Sequence, residues 1–487
     1  MKPALPRARL TPTETRTFAL VLALYFAGFA AIALAGWIDR SFGEPSLDQI
    51  IYHLRYAEAA AMDMGWIFLF TFVVEVLGFP LLIAIAVAMF HVAAVRRWQA
   101  RPHRRWLTPM PGIALMAGIG ALLLQFSVFS WAAAHFAEDE FAQAYIDPAQ
   151  VALAAPPRRN LILIYAESLE DTYSQAGLFG ADLLAPLKQL GAQSFPTYRQ
   201  APGTGWTIAG MVATQCGVPL RVYSQQDLRE RDRRAFLPRA TCLGDILAAQ
   251  GYRNVFMGGA PLSFAGKGTF LRDHGYQERW GRYEFEELGF APQEANEWGL
   301  YDSALFERAR RRLTQLQAAG QPFNLTLLTL DTHNPFGFLS PSCRREGAKN
   351  FEGIVACNAR LIANFIASAR ASGDLQNTLV VVLSDHLAMP NPVWDKLQQP
   401  PERRLFNLFV ADPPLPLPRQ SADMLPFDMF PTILEGLGAS VPGDRLALGY
   451  SGIGSADAAR PPGSEHRIRV DQLPGSAAYA RLWNPLP

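Results

Sequence analysis

Two hydrophobic rhythms divide the chain. In roughly its first 135 residues, apolar positions run almost unbroken through three long stretches: residues 17–37 (TFALVLALYFAGFAAIALAGW), 66–90 and 113–135. Each reaches the ~20 residues a helix needs to span a bilayer. From residue 156 onward, short β-branched runs alternate with amphipathic segments. Strands are expected in RNLILIYAES, RNVFMGG, FNLTLLTLDTH, NTLVVVLSDH and RLFNLFVADP, and helices over residues 185–193, 243–250, 302–319 and 353–372. Buried strands alternating with helices predict an α/β fold, a mostly parallel sheet with helices on both faces. The expected layout is therefore a membrane anchor of three transmembrane helices (1–136), a linker (137–158), an α/β domain (159–445) and a C-terminal tail (446–487), with no internal repeat.

Charge adds an orientation. Across 487 residues, 44 Lys and Arg nearly balance 43 Asp and Glu, so the net charge suggests no nucleic-acid partner. Locally the balance fails. Lys2, Arg7, Arg9 and Arg16 precede the first apolar stretch, and Arg96, Arg97, Arg101, Arg104 and Arg105 fill the loop between the second and third. The loop after the first stretch is mixed, with Asp39, Glu44, Asp48, Glu58 and Asp63 against Arg40 and Arg55. The positive-inside rule puts the basic segments in the cytoplasm and everything after the third span outside it, in the periplasm of a bacterial inner-membrane protein. Ala33-Leu34-Ala35 also resembles a signal-peptide cleavage site, which leaves a cleaved leader open as an alternative for the first span. Glu75, inside the second span, is either functional or a protonated carboxyl bonded to a neighbouring helix.

All four cysteines, Cys216, Cys242, Cys343 and Cys357, follow the third span. An even count in an oxidising compartment predicts two disulfides. Of the three connectivities, nearest-neighbour pairing closes the shortest loops; one of ~15 residues contributes about 3 kcal/mol in the chain-entropy model.

The candidate chemistry lies where strands end. The run LVVVLSDHLAMP leads a buried strand into Asp385 and His386, LILIYAES ends in Glu167, and LTLDTHNPF ends in Asp331 and His333. Ligands of open α/β sheets bind at that edge. Three strands delivering carboxylate and imidazole there point to a hard divalent cation. The reacting group is sought in APGTGWTIAGMVATQC, where a glycine turn precedes a helix start. A threonine there lies at the positive end of the helix dipole, and a cation would acidify its hydroxyl; its ordinary role would be an N-cap. Both Thr204 and Thr207 qualify.

In this order, NLILIYAESLEDTY, PGTGWTIAGMVATQCGVPL, FAGKGTFLRDHGY, LTLDTHNPFGF and VVVLSDHLAMP resemble the membrane-bound phosphoglycerol transferases of the alkaline phosphatase/sulfatase superfamily. Lipoteichoic acid synthase and the lipid A phosphoethanolamine transferases share that superfamily. FDMFPTILEGLG resembles the helix that closes the fold. The resemblance implies one divalent cation, manganese or magnesium with zinc as the alternative, held by Glu167, Thr207, Asp385 and His386. It implies Thr207 as nucleophile, because Gly205-Trp206-Thr207 followed by Gly210 matches the family motif better than Thr204 does. His333 would hold the phosphate or protonate the leaving oxygen, Arg272 and Lys267 would contact phosphate, and Trp206 and Phe270 would flank the glycerol. The implied donor is phosphatidylglycerol and the implied acceptor a periplasmic glycan or glucan, handled by a chain read as a monomer. Two rivals share the machinery: phosphoethanolamine transfer to lipid A or a glycan, and a sulfatase or phosphodiesterase using water. The C/S-x-P-x-R nucleophile setting of sulfatases is absent from the sequence. A degenerate, non-enzymatic scaffold is the remaining reading, and the complete Glu/Thr/Asp-His set argues against it.

Overall fold

The computed structural model describes residues 12–43, 45, 47, 49, 50, 52, 66–97, 108–126, 128, 139–150, 159–221, 235–417, 423–453, 473 and 476–484. The chain forms two compact units, residues 1–47 with 64–129 and residues 48–63 with 130–487.

The first unit is helical. Helix α1 spans Pro12–Phe42. Helix α2 starts at Trp66–Thr71, passes through a π-helical turn at Phe72–Gly78 and continues over Phe79–Arg97. Glu14–Phe42 and Phe68–Arg97, 29 and 30 residues, are long and apolar enough to cross a membrane. The third apolar stretch, expected over 113–135, is helical over Met110–Gln125 (α3), only 16 residues. Pro111 near the helix start draws the beginning earlier, since proline suits a first turn whose N–H groups have no helical partner. Residues 127 and 129–135 of the expected span lie outside the described residues. Gly28 of α1 and Gly118 of α3 let two backbones touch: a Cβ at Gly28 would lie 2.4 Å from the Ala114 carbonyl oxygen, and one at Gly118 would lie 2.5 Å from that of Gly28. Such small-residue crossings are how helices pack where hydrophobic burial gives no advantage. Glu75 sits in the π-helical turn and takes an ion pair from Arg40 Nη2 at 2.6 Å.

The second unit is built on six strands: β1 Asn160–Ala166, β2 Arg253–Gly258, β3 Glu278–Trp280, β4 Phe323–Leu328, β5 Thr378–Ser384 and β6 Asn407–Val410. Their order is β3-β2-β4-β1-β5-β6, parallel except for β6, which runs antiparallel to β5. The three-residue strand β3 was not legible as a strand, being too short to show a period. β1 and β5 are near-continuous apolar runs and β4 carries Asn324 and Thr326 among its apolar residues; all three are buried nearly end to end, as a sheet covered on both faces requires. Alternate β1 residues go to opposite cores. Leu161, Leu163 and Tyr165 pack on the side of helix α4 (Thr207–Cys216). Ile162, Ile164 and Ala166 pack with α7 (Asp302–Ala319) and α8 (Phe351–Ala371). Along α7, Leu305, Ala309, Leu313 and Leu316 recur every three to four residues and are buried, and Gly320 ends the helix in the left-handed conformation. Asn350 caps α8 by accepting from the Gly353 N–H. Between α4 and α7 lie α5 (Leu243–Ala249) and α6 (Lys267–Asp273). The helix expected over 185–193 covers only Ala185–Lys188, and Gly191 turns left-handed just after it.

The expected linker and tail are partly built into this unit. Glu140–Ala144 is a capped helical turn with Phe141 buried, and Ile146 bridges to Ala447. Near the C-terminus, Ala477–Trp483 is helical; Tyr479 accepts from the Arg221 N–H and donates to the Pro219 carbonyl, holding the chain that leaves α4. The cysteines pair as nearest neighbours, Cys216–Cys242 and Cys343–Cys357.

Candidate active site

The register explains why distant residues meet. Ala166 of β1 lies beside Ser384 of β5, and Tyr165 beside Leu328 of β4, so the chain leaves all three strands at one edge. Glu167, Asp385 and His386 follow directly, each about 2% exposed. Their ligand atoms lie within 4.8 Å of one another. His386 Nε2 stands 3.5 Å from Glu167 Oε1 and 3.5 Å from Asp385 Oδ2.

Backbone groups aim these side chains. Asp385 Oδ1 accepts from the N–H groups of Ser168 and His386, both at 2.9 Å. Its other oxygen, Oδ2, is buried without a donor among the described residues. His386 Nδ1 lies 2.8 Å from the Leu387 carbonyl, which can only accept, so Nδ1 carries a proton and Nε2 is the nitrogen turned toward the two carboxylates. Ser168 Oγ donates to Glu167 Oε1 at 2.7 Å, from a residue held at φ 54°. Thr329 Oγ1 accepts the Glu167 N–H, and Thr332 Oγ1 donates to its carbonyl. The post-β5 turn is braced from below: Glu170 is wholly buried, pairs with Arg403 and accepts from the Ala388 N–H, while Arg403 stacks on Trp394.

Burial and the neighbouring Glu167 carboxylate push Asp385 up to about 7. Burial alone would lower His386, yet the Asp385 and Glu167 charges outweigh it and raise the imidazole. Two carboxylates in a dry pocket hold their charge poorly without a proton or a cation. A carboxylate oxygen left without a donor among the described residues, beside a second carboxylate and an imidazole, is a donor set that fits a divalent ion.

Thr207 opens α4, and its Oγ1 donates to Glu167 Oε2 at 3.4 Å. Thr204 faces elsewhere: its hydroxyl donates to the Ala201 carbonyl at 2.7 Å and closes the turn. Gly210 permits the close fit of α4 on the site, since a Cβ there would lie 1.9 Å from the Asp385 carbonyl oxygen. His333 Nδ1 lies 2.6 Å from the Asn334 carbonyl, leaving Nε2 as an acceptor. Burial lowers His333 to about 4, and the His386 and Lys267 charges act in the same direction. Lys267 is 3% exposed, with its ammonium 6.0 Å from the centroid of the Phe256 ring.

The other expected contacts are placed as follows. Arg272 is largely exposed and donates to Asp273. Phe270 is fully buried against Phe236 and His274. Trp206, the N-cap of α4, is also a core residue. Trp298, unmarked in the sequence, packs its ring 4.2 Å from that of His333. Its stretch EANEWGL follows no apolar strand run of the kind that marked the other site residues, so only the fold could reveal it.

A sulfatase family model matches residues 159–439, more than half of the chain. The chain belongs to the sulfatase family. Among curated proteins it is 34% identical over 475 residues to phosphoglycerol transferase I of Xanthomonas axonopodis pv. citri, covering 93% of this chain and 64% of the relative. It is 40% identical over 286 residues to phosphoglycerol transferase I of Escherichia fergusonii, covering 57% and 37%. The chain thus spans about half the length of the curated relatives it matches. Among solved structures, the lipoteichoic acid synthase LtaP of Listeria monocytogenes is 18% identical, with a TM-score of 0.48 over 62% of this chain and 79% of the other. The sheet-edge cluster lies inside the sulfatase-matched segment.

Proposed function

We propose that this sulfatase-family chain is a membrane-anchored phosphotransferase that moves phosphoglycerol from phosphatidylglycerol to a hydroxyl of a periplasmic glycan or glucan, releasing diacylglycerol. The observation that carries it is the Thr207 hydroxyl directed at Glu167, in the cluster where Asp385 Oδ2 lacks a donor among the described residues and His386 Nε2 faces both carboxylates. The head group comes from the name shared by the curated relatives. The two long apolar helices support anchoring, and the arginine-rich loop supports a periplasmic active site in an inner-membrane protein.

Glu167, Asp385, His386 and Thr207 would hold one divalent cation, with manganese or magnesium favoured over zinc by the oxygen-rich set. Bound there, it supplies charge neutralisation and acidifies the threonine hydroxyl. In the first half-reaction Thr207 Oγ1 forms a bond to phosphorus as the ester bond to diacylglycerol breaks, and the threonine proton ends on the diacylglycerol hydroxyl. In the second, an acceptor oxygen replaces Thr207 on phosphorus, and the acceptor proton ends on threonine. His333 is unprotonated at neutral pH and presents Nε2, the form that relays this second proton. The free N–H groups of the first turn of α4 and the Lys267 ammonium would face the phosphoryl oxygens. Such transfers depend mainly on positioning and charge stabilisation.

The test offers the full-length protein head-group-labelled phosphatidylglycerol or phosphatidylethanolamine. Phosphatidylglycerol should yield diacylglycerol and a phosphoglycerol adduct on the peptide containing Thr207. Thr207→Ala should abolish both, by more than the ~10²–10⁴-fold typical of losing general acid–base assistance. Thr204→Ala should retain most turnover. Release from phosphatidylethanolamine alone overturns the head group, and an adduct elsewhere overturns the nucleophile.

A further inference from the structure

Tyr52 falls between α1 and α2 in sequence, yet it groups with the second unit. Its side chain is fully buried. The hydroxyl donates to the Ala265 carbonyl at 2.6 Å, and the ring centroid lies 6.0 Å from that of Trp206. These contacts reach the residue directly before Thr207 and the turn directly before Lys267. Trp206 is the extended residue directly before Thr207, where α4 begins. Ala265 and Gly266 are consecutive left-handed residues, at φ 52° and 71°, and Lys267 follows them at the start of α6. A non-glycine residue in that conformation persists only where its surroundings hold it. A buried backbone carbonyl also needs a donor, and the Tyr52 hydroxyl is one.

We infer that Tyr52 is a positioning residue that ties the start of the Thr207 helix to the Lys267 loop. The inference rests on the proposed roles of Thr207 and Lys267. Its logic separates two parts of one side chain. The hydroxyl holds the kinked loop, and therefore the lysine that meets phosphate. The ring fills the space beside Trp206, and therefore fixes where the nucleophile's helix starts.

Full-length Tyr52→Phe and Tyr52→Ala decide it, each assayed for turnover and by hydroxyl-radical footprinting. Tyr52→Phe should raise KM about tenfold with kcat held within about twofold, the size expected for losing one buried hydrogen bond. Tyr52→Ala should also lower kcat, by about a hundredfold, as for a misplaced reacting group. A merely structural role would lower the active fraction in both variants and leave KM unchanged; that pattern overturns the inference. Footprinting is independent of the substrate. Tyr52 should be protected in the wild-type chain, and Trp206 should gain labelling in Tyr52→Ala but not in Tyr52→Phe. Heavy labelling of wild-type Tyr52 overturns the inference even if transfer from phosphatidylglycerol is confirmed. Protection with that labelling pattern supports it even if the donor is another phosphodiester.

Discussion

Two clusters in the second unit hold nearly the same ligand types: Glu167, Asp385 and His386 at the sheet edge, and Cys242, Asp245 and His274 beside α5. Either could be read as a metal site from its residue types. In the second cluster every interaction closes within the protein. His274 sits between Asp245 Oδ2 at 2.8 Å and the Phe236 carbonyl at 2.9 Å, Asp245 Oδ2 also caps the Cys242 N–H, and the Cys242 sulfur is bonded to Cys216. At the sheet edge backbone groups satisfy Asp385 Oδ1 and His386 Nδ1 only: among the described residues Asp385 Oδ2 lacks a donor, and His386 Nε2 faces two carboxylates. An unmet oxygen where several ligand groups converge, rather than residue type, separates the two clusters.

The sharpest way to break the comparison is to remove one carboxylate from each cluster. Asp385→Asn should abolish stoichiometric manganese binding, measured by elemental analysis of the dialysed protein, and should cost several orders of magnitude in turnover. Asp245→Asn should leave the metal content intact and act only on stability, by about 1–3 kcal/mol for a broken buried bond. Equal metal loss in both variants would erase the distinction.

A smaller effect is expected from Gly210→Ala. The added methyl would press on the Asp385 carbonyl, so α4 must move away and carry Thr207 with it. Turnover should fall about a hundredfold, the cost of an ångström-scale misplacement, while manganese still binds through the three sheet-edge residues. Unchanged turnover would show that the helix start is not held by this contact.

The smallest effect concerns a third acidic pair, which has neither arrangement. Asp331 is buried with both oxygens lacking a partner among the described residues, while Asp302 accepts from the Leu330 and Asp331 N–H groups and from Asn358. Burial, then the Asp302 charge, raises Asp331 well above the usual carboxylate range, and burial raises Asp302 to about 6. A raised value means that the folded chain binds more protons than the unfolded one as pH rises above the ordinary carboxylate value near 4. Stability should therefore fall through that window. Asp331→Asn should flatten the decline, so the difference in Tm from wild type should grow between pH 5 and pH 8. A difference independent of pH would mean that Asp331 is not held protonated.

Much of this was legible in the residue pattern. Three predominantly apolar runs became β1, β4 and β5, because a strand covered on both faces is buried along its length. Glu167, Asp385 and His386 could be marked because polar groups directly after such runs emerge at the sheet edge. Other features were opaque for identifiable reasons. β3 is three residues long, too short for a period to show. Arg272 and Lys267 share one motif, yet α6 turns the arginine outward and buries the lysine, a matter of helix phase fixed by packing.

Local sequence alone determined the apolar helices, the alternation of strand and helix, and the residue types delivered to strand ends, since periodicity and turn chemistry act over a few residues. The tertiary structure alone decided which groups remain unmet. The strand order put β1 between β4 and β5, backbone amides claimed one oxygen of Asp385 and left the other, and a glycine at 210 let α4 approach. It also drew Tyr52 in against Trp206 and Ala265, across more than 150 residues of chain, a contact that no local pattern encodes because its energy exists only once both segments are packed.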